Sequence, residues 1–199
     1  MLRILRNADY PTRPWKNGGG TTRDIIASPP GASFDDFDWR LSLAQVDRDG
    51  PFSRFDGVDR TLVLLSGAMT LHDADRRIDL VRHGPVTFEG ERAIHATVAG
   101  STTLDFNVMT RRGRAHHAVR CESFGKQASI EAAAGNTIVL FALESGLTVD
   151  SEQLHAHDTA IISAARVVIA ASTRTVAALI VEISDFHPNV LRNAAHLVS

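Results

Sequence analysis

The densest group of chemistry-bearing residues in the chain is Pro14-Trp-Lys-Asn-Gly-Gly-Gly-Thr-Thr-Arg23. Three consecutive glycines permit positive φ and let the backbone come close to another group. Backbone N–H groups at Gly18, Gly19 and Gly20 could then cradle an anion. Lys16 and Arg23 would add charge beside it, and Asn17 and Thr22 would add hydrogen bonds. A bulged turn with solvated flanking charges would use the same residues. The spacing is not that of a nucleotide P-loop, because no Gly-Lys-Ser/Thr follows, and it does not match the dinucleotide fingerprint. Trp15 offers a flat face for a planar ligand, or equally a plug for the core.

The elements that must hold this motif are strands. Residues 39–46 alternate, with Trp39, Leu41 and Leu43 on one face and Arg40, Ser42 and Ala44 on the other. Further short, β-branched runs occupy 61–65, 68–72, 86–88 and 103–109, with Gly, Pro, Asp or Ser between them. A second series follows at 137–143, 147–149, 159–163, 167–170 and 175–183. Two small barrels or sheets packed as one unit are expected, spanning 1–112 and 113–199, with 111–117 as the linker. The only helix candidates are short, at 34–38 and 151–154.

Composition excludes several classes. Hydrophobic residues make up 44% and charged residues 22% of the 199, which is too apolar for disorder. A net charge of −2 draws the protein toward neither nucleic acid nor anionic lipid, and the basic run 111–114 lacks interleaved aromatics. The lone Cys121 cannot form an internal disulfide and fits a reducing compartment; no apolar run has the length of a signal peptide or a membrane span. A soluble, cytoplasmic protein is expected.

Several motifs, taken in order, resemble those of the HutD/Ves family: the 14–23 segment, Trp39-Arg-Leu-Ser-Leu-Ala44, Gly50-Pro-Phe-Ser-Arg-Phe-Asp-Gly-Val-Asp-Arg60, Leu65-Ser-Gly67, Phe88-Glu-Gly90 and Asp105-Phe-Asn-Val-Met-Thr-Arg111. The resemblance implies an all-β, double-cupin (bicupin) fold. For the HutD branch it implies an association with bacterial histidine utilisation, with formylglutamate or urocanate as the intermediate sensed or limited. The Ves branch has a different context, a cold-linked stress response, and the residues do not choose between the branches.

Cupins hold a metal with two histidines and a glutamate. Counting back from Gly67 puts Arg60 where the glutamate would stand, with Arg54 and Asp56 on or beside the histidine positions. Arginine has no lone pair to offer a metal. His95 stands alone near the second motif, and one imidazole makes no site. Leu154-His-Ala-His-Asp158 places two histidines together, but Ile161 and Ile162 stand where a glutamate would follow, and His187 precedes a proline in the tail.

The expected site is therefore metal-free and cofactor-free. Arg40, Arg60 and Lys16 would bind a small carboxylate metabolite, with the Gly18, Gly19 and Gly20 backbone, Asn17, Ser42 and Asn107 orienting it. Asn107 and Arg111 share a strand face, so Arg111 joins the candidates. Phe52 and Phe55 are expected to pack rather than touch ligand. The alternative is a metal-independent isomerase or hydrolase, with His95 as acid or base and Arg60 stabilising negative charge. No nucleic-acid or membrane partner is expected; a homodimer through strand edges would suit the fold.

Overall fold

A computed structural model describes residues 1–185 apart from 75, 101, 172 and 173. Its regular structure is strand, save for one 3-10 turn at Asn7–Asp9. The first eleven strands are β1 (Leu2–Leu5), β2 (Thr12–Pro14), β3 (Gly20–Ser28), β4 (Trp39–Val46), β5 (Gly50–Pro51), β6 (Val58–Ser66), β7 (Met69–Asp73), β8 (Arg76–Asp79), β9 (Pro85–Glu89), β10 (Ile94–Val98) and β11 (Thr103–Arg111). Eight more follow: β12 (Ala115–Phe124), β13 (Ala128–Glu131), β14 (Asn136–Ala142), β15 (Leu147–Val149), β16 (Glu152–Leu154), β17 (Thr159–Ser163), β18 (Arg166–Ala171) and β19 (Val176–Asp185).

The strands assemble into four open sheets. One pair consists of a six-stranded sheet, β2-β3-β4-β11-β6-β9, and a four-stranded sheet, β5-β10-β7-β8. The other consists of a five-stranded sheet, β1-β17-β14-β19-β12, and a four-stranded sheet, β13-β18-β15-β16. Sheet membership follows chain order with one exception: β1 leaves the early strands and pairs antiparallel with β17, Leu2 opposite Ile162 and Leu5 opposite Thr159.

Three apolar layers join the sheets. The six- and five-stranded sheets meet through Leu41, Leu43, Val63, Phe106 and Val108 on one side and Val139, Phe141, Leu179 and Val181 on the other. Phe106 and Phe141 have ring centroids 4.6 Å apart at the centre of this layer. Each such buried side chain stabilises by about 1.5–3 kcal/mol over exposure, so the two sheet pairs are held as one body. The interior of the second pair is filled by Leu140, Leu147, Val149, Ile162 and Ile169 among others. In the first pair, Val46 and Leu64 meet Met69, Leu71, Ile94 and Ala96 at one end only. Toward the opposite end a smaller cluster of Phe37, Val58 and Met109 is packed by Ala32 and Phe55.

A polar link also crosses between the pairs. His117 on β12 bonds the Thr61 hydroxyl through Nε2 at 2.8 Å and the Thr110 hydroxyl through Nδ1 at 2.7 Å. Burial pushes the imidazole down to about 4, so the ring is neutral and one nitrogen donates while the other accepts.

Some expectations change. Neither candidate helix forms: 34–38 is turn and bend, and 152–154 is strand β16. The linker shrinks to a turn at 112–114, because His116 and His117 lie inside β12 and pair with β19. No described helix is long and apolar enough to cross a membrane.

Candidate functional site

The alternation of β4 builds the site. Trp39, Leu41 and Leu43 pack in the layer facing the five-stranded sheet, while Arg40, Ser42, Ala44 and Val46 line a cavity of about 480 Å³ on the other face. Strand β11 lays the floor with Asp105, Asn107 and Met109, and β6 contributes Arg60. The mouth is formed by Trp15, Lys16 and Asn17 from the β2–β3 turn, Phe34 from the 29–38 segment, and Phe52, Ser53 and Phe55 from the β5–β6 segment.

The two arginines differ in how far their charge is already used. Arg40 is 7% exposed; it bonds the Asp24 carboxylate directly and donates to Ser42 Oγ at 3.2 Å, with its guanidinium 4.7 Å from the Phe34 ring centre. Asp24 also receives Arg13 Nε at 3.1 Å. Arg60 is 5% exposed and makes no ion pair among the described residues. Its Nη1 donates to the Ser53 carbonyl at 3.2 Å and its Nη2 to Asn107 Oδ1 at 2.9 Å, while Nε is buried without a partner. Phe52, Phe55 and Phe88 surround the guanidinium at 5.1 to 5.6 Å. Burial lowers its pKa to about 10, with the Arg40 charge adding to the fall, yet it stays a cation at neutral pH. Lys16, exposed at the mouth, makes no ion pair among the described residues.

Asp105 belongs to the site although no motif spacing singles it out. It is 0% exposed, its Oδ1 accepts from the Asn107 amide N–H, and its Oδ2 has no partner. Burial pushes the carboxyl up to about 7, against the pull of the Arg60 charge and the Asn107 hydrogen bond. Its sequence signals are its place at the head of the 105–111 motif and parity, because it shares the β11 face with Asn107.

Other candidates fall elsewhere. In the glycine turn two of the three amides are already used: Gly18 N–H donates to the Trp15 carbonyl at 3.0 Å and Gly19 N–H to Asn17 Oδ1 at 2.9 Å. Gly18 is required by φ +65°, and Gly20 by the Gln45 carbonyl oxygen, which an added Cβ would meet at 2.1 Å. The turn instead presents Trp15, whose indole N–H donates to Thr22 Oγ1 at 2.8 Å, so both line the cavity as a pair. Arg23 points to the other face of β3, where it bonds the Asn7 carbonyl and lies 5.5 Å from the Tyr10 ring centre. Arg111 also misses the cavity: its guanidinium donates to the carbonyls of Phe37 at 3.1 Å and Asp35 at 2.9 Å, fixing the 29–38 segment. His95 is exposed between buried Ile94 and Ala96, beside His72 on the outer face of its sheet, so it is not positioned as an acid or base for this cavity. Phe52 and Phe55 both pack and line the site.

The paired histidines near 155 separate. His157 stacks on Phe141 at 5.4 Å, whereas His155 is exposed. His187 lies outside the described residues. Among the described residues no three His, Cys, Asp or Glu side chains come together as a metal group. What the cavity offers is two buried guanidinium groups, an amide, a hydroxyl and aromatic walls, a donor set suited to a small anion with a flat or apolar body.

A family model described as HutD matches residues 7–179. An uncharacterised 21.2 kDa protein in the hutC 3' region of Pseudomonas putida is 34% identical over 151 residues, covering 75% of this chain and 77% of that protein. Protein Ves of Citrobacter koseri is 40% identical over 113 residues, covering 55% of this chain and only 58% of Ves. Among solved structures, the conserved protein of unknown function PA5104 from Pseudomonas aeruginosa PAO1 has a TM-score of 0.83 at 30% identity, covering 92% of this chain and 99% of that one. HutD from Pseudomonas fluorescens SBW25, in a formate condition, has a TM-score of 0.81 at 25% identity, covering 94% and 100%. The fold is the expected double-cupin arrangement, with its sheets open rather than closed into barrels.

Proposed function

Because this chain belongs to the HutD family, we propose that it binds a small carboxylate metabolite in the cavity of its first sheet pair. The role is accessory or regulatory, in the cytoplasm, within bacterial histidine utilisation. One observation carries the reading: Arg60 is a buried cation in the cavity with no direct carboxylate partner among the described residues. Burying a charge without an opposite charge in contact is costly, and an incoming carboxylate supplies what is missing. Phe52, Phe55 and Trp15 give such a ligand apolar walls, and Lys16 adds a cation at the entrance. The hutC-region position of the Pseudomonas putida relative supports the metabolic setting, with N-formylglutamate and urocanate the first ligands to try.

The test is a thermal-shift and calorimetric screen of the purified protein against N-formylglutamate, urocanate, histidine, glutamate and formate. A ligand at a hundredfold excess over its Kd stabilises the native state by about 2.7 kcal/mol, readily seen in Tm. Stabilisation by one of the carboxylates, lost in Arg60→Ala, is the expected result. No shift with any of them, or a shift that Arg60→Ala leaves intact, defeats the reading.

A further inference from the structure

The cavity already contains an anionic group of its own. Asp105 sits on the floor with no exposed surface, and its Oδ2 is unpartnered. Arg60 reaches it only through an intermediary: Arg60 Nη2 donates to Asn107 Oδ1 at 2.9 Å, and the Asn107 amide N–H donates to Asp105 Oδ1. The guanidinium Nε is free as well. Arginine and carboxyl are thus each half-satisfied, and neither neutralises the other by contact.

The remaining charged groups lie farther along the cavity wall. Arg40 faces from β4 and is paired with Asp24 of β3, which also holds Arg13 of β2. Lys16 stands at the mouth, on the β2–β3 turn. The four-stranded sheet opposite packs Leu71, Ile94 and Ala96, which bring no charge. A carboxylate entering beside Arg60 therefore competes with Asp105 for one positive charge. Two carboxylates sharing one site do not both stay ionised; one takes a proton.

We propose that the cavity takes up its carboxylate together with one proton from solvent, and that Asp105 is the residue that holds the proton. This rests on the reading of the cavity as a carboxylate site and adds to it the group that sets its response to pH. Burial already brings the Asp105 carboxyl to titrate near neutrality in the empty cavity, and a bound anion raises it further. Linkage then works in both directions: ligand favours the protonated carboxyl, and the ionised carboxyl disfavours ligand.

The test is titration calorimetry of the wild-type protein with formate and with N-formyl-L-glutamate, from pH 6.5 to 8.5. It is run in Tris and in triethanolamine, whose ionisation enthalpies differ and whose ions are cationic and do not compete. The expected result is an apparent enthalpy that differs between the buffers, with proton uptake rising toward one per site. Affinity falls with pH, approaching about tenfold per unit at the alkaline end. In Asp105→Asn the buffer difference vanishes and affinity is flat with pH. Binding by the wild-type protein with equal enthalpy in both buffers overturns the inference and leaves the carboxylate site standing. Failure of both probes to bind at any pH removes this inference, and with no shift by urocanate, histidine or glutamate either it removes the carboxylate reading as well. The wild-type data decide the matter even if Asp105→Asn does not fold.

Discussion

Arg40 and Arg60 flank the same residue: both are Cα partners of Met109, one on each side of β11. Their backbones are therefore about 10 Å apart, two strand spacings, while their long side chains reach into one cavity. Arg40 is held by Asp24 and shaped by Ser42 and Phe34, so it forms a wall. Arg60, with no carboxylate in contact among the described residues, keeps its charge uncommitted.

Arg60→Lys separates charge from shape. A lysine keeps the cation but loses the planar fork and its bond geometry to Asn107. Losing one charge-assisted hydrogen bond costs about 1.5–3 kcal/mol, so carboxylate affinity is expected to fall by roughly ten- to a hundredfold, read by calorimetry. Binding within twofold of wild type would mean that Arg60 serves only as a point charge.

Asp24→Asn should move binding and stability in opposite directions. Removing the carboxylate frees Arg40 and leaves Arg13 unpaired, which raises the positive potential of the cavity. A severalfold tighter carboxylate Kd is expected, together with a lower Tm, because a half-buried ion pair is broken. Weaker binding alongside the Tm loss would show that Asp24 acts by positioning Arg40.

The glycines of the β2–β3 turn should differ when each is replaced by alanine. In Gly20→Ala the new Cβ meets backbone, the Gln45 carbonyl oxygen, so β3 and β4 must shift apart, at a cost of about 1–3 kcal/mol or more. In Gly18→Ala the neighbour is the movable end of Arg48, and the cost is that of positive φ, about 1–2 kcal/mol. Urea denaturation of both variants checks the order. Carboxylate binding should weaken with Gly20→Ala, since Trp15 and Thr22 are set by that pairing.

His117 should make the fold acid-sensitive. Its folded pKa, about 4, lies below the ordinary 6.5, so between these values the unfolded chain binds the extra proton. Stability from this group is complete above pH 6.5 and is lost as pH falls to 4, by up to roughly 3 kcal/mol. Asp105 works the other way, because its raised pKa favours the fold as pH falls through 7. The difference in unfolding free energy between wild type and His117→Gln isolates the histidine, and it should shrink from pH 7.5 to pH 4.5. A constant difference would place the His117 proton balance elsewhere.

Period-two alternation makes part of this site legible in the sequence alone. Residues 39–44 separate cleanly into core and cavity faces, so Arg40 and Ser42 are assigned together, and β15 and β17 match their expected bounds at 147–149 and 159–163. Parity names a face, however, not a position along it or the reach of a side chain. Arg111 shares parity with Asn107, but its long side chain turns away to the Asp35 and Phe37 carbonyls. The amides of Gly18 and Gly19 are spent locally, which spacing alone does not reveal. Asp105 is passed over for a different reason: it opens the 105–111 motif, but nothing in the spacing says that its carboxyl is fully buried in the cavity floor.

The pairing of β1 with β17 sets an order on synthesis. Residues 2–5 leave the ribosome long before residues 159–163 exist, and the strands made next pair among themselves. The beginning of the chain must therefore wait as an unsheltered edge while the first sheet pair closes around its cavity. It docks only when the second pair is nearly finished. A nascent chain stopped near residue 112 would carry the whole cavity lining yet leave Leu2–Leu5 without its partner strand.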